Sequence, residues 1–295
     1  MKHFGIIVNY GKDDSMQMAY RIKEEIEKRG GSAQLLPTKP EGGLGGEGFT
    51  DVSEILPETE AALVLGGDGT VIQAARELAG YRLPIMGINL GTLGFLTEVE
   101  MEHATEAIEL LLAGQYRLEE RIMLSGTVYK AGEAVYRAEA LNDIVITRSG
   151  YSRIVSMQVV VNGQPLTHYR GDGVILSTPT GSTAYNLSAG GPVILPEGRA
   201  FAITPICAHS LEIRSIVASA EDCIRIEIAT SKKSQKEEAI VSFDGNTGIL
   251  LETGDMVEVK KAMQQTYFIK IGSRGVLENL RMLWNGGRNE GKETG

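Results

Sequence analysis

The chain has 295 residues, 42% of them hydrophobic and 23% charged, with a formal net charge of -9. That length supports more than one packed core, and the acidic balance argues against general nucleic-acid binding, which needs clustered Lys and Arg. No apolar run is long enough to span a bilayer, and the N-terminal run "FGIIV" is too short for a secretory signal. A soluble, cytoplasmic protein with no membrane or nucleic-acid partner is therefore expected, with Cys207 and Cys223 as reduced thiols.

In chain order, "HFGIIVN" reads as a buried strand. Asp13, Asp14 and Ser15 offer helix caps, and Met18, Ala19, Ile22 and Ile26 recur at helical spacing until Gly30 and Gly31 end the helix. "SAQLL" predicts a second strand, and "TKPEGGLGGEGFTD" a glycine-rich loop. "AALVL", "TVIQAARELAG" and "LPIMGIN" predict strand, helix and strand. A further helix is expected from Glu102 to Ala113, with Ala104, Ile108, Leu111 and Leu112 inward. Strands alternating with helices imply a Rossmann-like α/β domain on a parallel sheet over residues 1–116.

From about Tyr116 the period changes. "IMLSGTVYKAGEAVYRAEAL" suggests two strands, and "SMQVVVNGQPLTHY" a hairpin turning at Asn162-Gly163. "GVILSTP", "CIRIEIAT", "EAIVSFDGNTGILLETGDMVEV" and "QTYFIKIG" add more strands, with helical character only around Ser182 to Ala189. A mostly-β domain of β-sandwich type is expected over residues 117–272. "VLENLRMLW" predicts a helix within 273–285 that rejoins the first domain, anchored by Trp284, and residues 286–295 read as a flexible tail. The run "SKKSQKEE" reads as a solvated loop, and His3, His103, His168 and His209 are too scattered to suggest a metal cluster.

Two polar clusters stand out. "LVLGGDGT" places Gly66, Gly67, Asp68, Gly69 and Thr70 where a parallel strand ends, the usual ligand-binding edge of such sheets. Glycines let backbone N–H groups approach a phosphate, and the following helix N-terminus favours negative charge. The pattern is neither GxGxxG nor GxxxxGK[ST]. Asp68 would repel a phosphate unless it took a proton from an attacking hydroxyl or helped hold a magnesium ion. An ordinary turn-capping Asp is the competing explanation. The second cluster joins Asn142 and Asp143 in "ALNDIVIT" to "YRGDGVILSTPTGSTAYNLSAGGP", with Arg170, Asp172 and the hydroxyl-rich run from Thr180 to Tyr185. Small residues admit a flat base, hydroxyls and amides bond to it, and carboxylates accept from ribose hydroxyls.

With "GGDGT", "GINLGTLGFL", "LNDIVI", "RGDGVILSTPTGSTAYNLSAGGPVI", "TPICAHSLEIRSIV" and "VSFDGN" in this order, nearly the whole chain resembles the NAD kinases, which phosphorylate the 2′-hydroxyl of the adenosine ribose of NAD. "GGDGT" alone is only moderately specific, because diacylglycerol, sphingosine and phosphofructo kinases carry related turns. The long run through "STPTGSTAYNLSAGG" is highly specific. The resemblance implies that NAD lies in a crevice between the two domains, with ATP or polyphosphate as donor and a divalent metal, magnesium by preference, whose ligands stay unassigned. Asp68 would be the base, with Gly69 beside it and the donor phosphates along Gly66, Gly67, Gly69 and Thr70. Asn142 and Asp143 (often Glu in the family) would hold the ribose, and Phe95 would lie near the adenine. Thr183, Ala184, Tyr185, Asn186, Leu187 and Ser188 would line the two ends of the dinucleotide. Arg170 and Asp172 would contact substrate from the same or a neighbouring subunit of a homodimer or homotetramer, and Arg153 and Asn246 would add further NAD contacts. The rival expectations are a lipid kinase of the diacylglycerol kinase type and a non-catalytic NAD-sensing module.

Overall fold

The structure is a computed structural model, and it describes residues 1–8, 15–39, 49–50, 52–91, 94–150, 154–210, 212–230, 237–272 and 275–285. Most of the glycine-rich segment, most of "SKKSQKEE", Arg153 and the 286–295 tail lie outside the described residues.

The first part runs β1 (His3–Val8), α1 (Ser15–Lys28), β2 (Ser32–Lys39), β3 (Phe49–Thr50), β4 (Ala61–Leu65), α2 (Asp68–Leu78), β5 (Ile85–Asn89), β6 (Thr97–Glu100) and α3 (Ala104–Leu112). β1 pairs in parallel with β2 and β4, and β4 with β5, as the strand–helix alternation requires. These strands are apolar on both faces because helices cover both. Phe4, Ile6, Val8, Leu63 and Leu65 pack with Ala19, Ile22 and Ile26 of α1 and Ile108 and Leu111 of α3. Ile7, Ala62 and Val64 face the other way, onto Val71, Ala74, Ala75 and Leu78 of α2.

The second part runs β7 (Arg117–Lys130), β8 (Glu133–Ala140), β9 (Asp143–Arg148), β10 (Val155–Val161), β11 (Gln164–Gly171), β12 (Gly173–Ser177), α4 (Tyr185–Ser188), β13 (Ala200–Ile206), β14 (Ile216–Ser219), β15 (Ile224–Ala229), β16 (Glu238–Phe243), β17 (Asn246–Glu252), β18 (Met256–Lys270) and α5 (Val276–Asn285). A six-stranded sheet ordered β14-β13-β12-β9-β16-β17 faces a twelve-stranded one across a shared core that includes Leu124, Ile144, Leu176, Phe201, Val241 and Val257. The expected sandwich is present, and one of its layers is the N-terminal sheet continued. β18 joins them. It pairs antiparallel with β15 and β7, and at Phe268 in parallel with Ile85 of β5. "MVEV" and "QTYFIKIG", expected as separate strands, are one strand with a register irregularity between Lys261 and Gln265. At about 3.3 Å per residue its length reaches both cores: Val257 and Val259 lie in the sandwich, Phe268 and Ile269 in the α/β layers.

α5 begins at Val276, inside the expected range, and buries Leu280. Trp284 does not anchor it, being 65% exposed. β6, β13 and β14 were not apparent in the sequence pattern.

Candidate active site

The turn between β4 and α2 shows why its glycines differ. A Cβ on Gly66 would meet the Thr70 hydroxyl oxygen at 2.4 Å, so this glycine lets the strand close onto the helix. Gly67 caps α2 in an extended conformation, and Gly67 and Gly69 both face open space. Nothing in the described fold excludes a side chain there, whereas a ligand approaching the backbone amides of a helix N-terminus would.

Asp68, the first residue of α2, is held by both oxygens. Oδ2 accepts the Phe95 backbone N–H at 2.8 Å, and Oδ1 accepts that of Leu96 at 3.0 Å. A Cβ on Gly94 would fall 2.1 Å from Asp68 Oδ1, so the loop before β6 packs directly on the carboxylate. This brings half-buried Phe95 beside the turn. A cavity of about 180 Å³ opens at Phe95, lined also by Arg121, Leu195, Lys270 and Leu277, where the two domains and α5 meet.

Asn142 and Asp143 sit at the start of β9, both buried. The β16–β17 turn fixes them. Asp244 accepts the backbone N–H groups of Leu141, Asn142 and Asp143 at 2.8, 2.7 and 3.0 Å. Withdrawal from water pushes the Asp244 carboxyl up from the usual range, and those three amides and Arg76 pull it back. The Asp143 carboxyl is pushed up to about 7, first by burial and then by the neighbouring Asp244. The Asn142 side-chain oxygen is buried without a hydrogen-bond partner. An orphaned buried acceptor is uncommon in folded proteins, and a ligand hydroxyl is a donor of the right kind.

The Thr180–Ser188 segment is stitched to the same place. Thr178 donates its hydroxyl to the Leu141 carbonyl at 2.6 Å and its N–H to the Asn142 carbonyl at 2.9 Å. A Cβ on Gly181 would lie 2.1 Å from that Asn142 carbonyl, so only glycine allows the contact. Arg121, buried and paired with Glu119, donates to the Thr180 hydroxyl at 3.2 Å and lies over the Phe268 ring. Tyr185 and Ser188 are exposed, and Thr183, Ala184 and Leu187 are half-buried. Asn186 is buried and fully engaged, donating to the Ser182 and Pro192 carbonyls and accepting from the Thr204 hydroxyl at 2.6 Å. Its side chain braces α4.

Arg170 and Asp172 stand apart. β12 pairs Ser177 with Asp143 and Gly173 with Thr147, so Asp172 lies about 13 Å or more along the strand from Asp143. It forms an ion pair with Arg148 at 2.8 Å. Arg170 is exposed on β11, at an edge of the large sheet. Arg153 lies outside the described residues. Asn246 is drawn in through the β16–β17 turn: with its amide oxygen facing Arg76, it accepts from that guanidinium at 2.9 and 3.2 Å. Asp244 and Arg76 carry no local sequence signal of these contacts, although Asp244 stands within "VSFDGN". His103 lies close enough to Glu100 and Glu102 to share an ion, in a largely exposed group.

The Asp143 shift sets a testable pH dependence. Its pKa is raised on folding, so between about pH 4 and 7 the folded chain keeps a proton that the unfolded chain has lost. That contribution is fully present below the unfolded value and is lost as pH rises towards 7. Asp143→Asn removes it. The variant should exceed the parent in denaturation midpoint at pH 8, with the gap closing towards pH 5. An equal gap at both values would show that Asp143 does not titrate in this window.

Residues 4–116 match the ATP-NAD kinase N-terminal domain, and residues 141–271 match the ATP-NAD kinase C-terminal domain. A relative from Lachnoclostridium phytofermentans, named NAD kinase, is 44% identical over 283 residues, covering 95% of this chain and 98% of its own. Another of that name from Geobacter metallireducens is 46% identical over 241 residues, 81% of this chain and 82% of its own. Among solved structures, yeast NADH kinase complexed with NADH superposes with a TM-score of 0.84 at 22% identity, covering 100% of this chain and 90% of that one. An NAD kinase from Archaeoglobus fulgidus in complex with ATP gives 0.73 at 24% identity, over 95% and 99%. Those two likenesses show the fold. The domain matches and the relatives of nearly equal length establish that the chain belongs to the NAD kinase family of enzymes.

Proposed function

We propose that this chain transfers the terminal phosphoryl group of ATP to the 2′-hydroxyl of the adenosine ribose of NAD, giving NADP. The observation that carries this is the buried, unpartnered Asn142 oxygen beside Asp143, an acceptor pair suited to vicinal ribose hydroxyls. The ribose hydroxyls donate to Asn142 and Asp143, and the adenine and nicotinamide ends run along Phe95, Thr183, Ala184, Tyr185, Leu187 and Ser188. Donor phosphates lie against the amides of Gly67 and Gly69, with Thr70 in the first turn of α2. The Gly66 N–H is donated to the Ile88 carbonyl at 3.0 Å, so Gly66 contributes close approach and no free donor. Asp68, steadied by the Phe95 and Leu96 amides, orients the 2′-hydroxyl and takes its proton. Phosphoryl transfer passes through a loose transition state, so this positioning contributes more than base strength.

A magnesium ion fits this donor set. Such ions are held mainly by substrate phosphates and water with one or two carboxylates, and Asp68 is a carboxylate whose oxygens each accept one amide and keep a lone pair. When bound, the ion would offset phosphate charge. Arg170 and Asp172, one strand length from Asp143, fit better as contributions to a neighbouring subunit's site in a homodimer or homotetramer.

The test incubates the purified chain with magnesium and NAD, supplying ATP in one arm and polyphosphate in the other, and reads NADP with an NADP-specific dehydrogenase. NADP in the ATP arm is expected. Bound NAD without NADP in either arm would remove the transfer reaction.

A further inference from the structure

Helix α2 carries the phosphate turn at its N-terminus, and the other end of the same helix is tied to the ribose cluster. Arg76, in the last turn of α2, donates to the Phe243 carbonyl at 3.1 Å. With the Asn246 amide turned so that its oxygen rather than its NH₂ faces this donor, the guanidinium also donates to it at 2.9 and 3.2 Å. Phe243 and Asn246 bracket the turn that presents Asp244 to the amides of Leu141, Asn142 and Asp143. The Arg76 charge also favours the ionised form of Asp244.

We propose that Arg76 is a positioning residue that holds the phosphate turn and the ribose-binding Asn142–Asp143 pair at their working separation, acting through the Phe243–Asn246 turn without touching either substrate. This rests on the transfer reaction proposed above. Asp68 and Arg76 are eight residues apart, about 12 Å of rigid helix. The Phe95–Leu96 loop holds one end and the β16–β17 turn the other. A guanidinium suits this task because its planar fork donates to two acceptors at once, which a lysine ammonium on a flexible stem does less well.

The experiment measures kcat, NAD KM and denaturation midpoint for the full chain, Arg76→Met and Arg76→Lys. If Arg76 sets the separation, Arg76→Met lowers kcat per folded molecule about ten- to a hundredfold, since small misplacements of reacting groups are costly, and raises the NAD KM. Arg76→Lys recovers part of both. Adding Asp244→Asn to Arg76→Met should cost less than the sum of the single effects, because both act through one turn. A parent kcat and KM in folded Arg76→Met, with only the midpoint lowered, would overturn the proposal and leave Arg76 a stabilising contact. Additive effects would overturn the route through Asp244. An inactive parent chain is a separate result that would remove the transfer reaction itself.

Discussion

Asp68→Asn is expected to lower NADP formation about 10²–10⁴-fold, the usual contribution of a general base, while NAD affinity changes little. The turn supplies one carboxylate and no lysine, so no other side chain of the turn can replace it as proton acceptor. The substitution has a second consequence. The carboxylate accepts two backbone N–H groups, and an asparagine can accept only through its single oxygen, leaving its NH₂ facing a donor. The Phe95–Leu96 loop should therefore loosen. Isothermal titration with NAD separates the effects, because loss of the proton acceptor leaves the binding constant near that of the parent and lowers only turnover. Parent-level turnover in the variant would show that Asp68 takes no proton.

The second large effect falls on stability. Asp244→Ala removes the acceptor for three amides in a row. Leaving buried donors unsatisfied costs roughly 1–3 kcal/mol each, so a loss of about 3 kcal/mol or more in unfolding free energy is expected, read from denaturant titration. Relief of burying the Asp244 charge near Asp143 offsets part of it. In the fraction that folds, the NAD KM should rise, because Asn142 and Asp143 lose the turn that orients them. Asp244→Asn keeps one acceptor and should be milder on both measurements. A midpoint within error of the parent for Asp244→Ala would mean that these amides find other partners.

Much of this was open to a reader of the sequence. The apolar runs "FGIIV", "AALVL" and "IMGIN" at strand–helix spacing fix a parallel sheet because burial on both faces demands continuous hydrophobicity, and these strands are buried end to end. Ala19, Ile22 and Ile26 mark the inner face of α1 by their period alone. The polar turn of Asp68, the Asn142–Asp143 pair and the segment after Thr180 stand out in the sequence because each concentrates glycines, carboxylates, amides or hydroxyls beside an apolar run, a composition that capped turns share. Tertiary structure decided the rest. Hydrophobic pattern reports which face of a strand is covered, and it is silent on which strand lies beside it. β18 could therefore look like two strands of one domain while joining two cores. Beyond Ser182 in its own segment, the side-chain partners of Asn186 are Pro192 and Thr204, which come from a loop and a strand further along, and no local pattern points to them. Arg76 and Asp244 carry no local signature because each acts on residues about a hundred or more positions away, and such contacts exist only once the chain has folded.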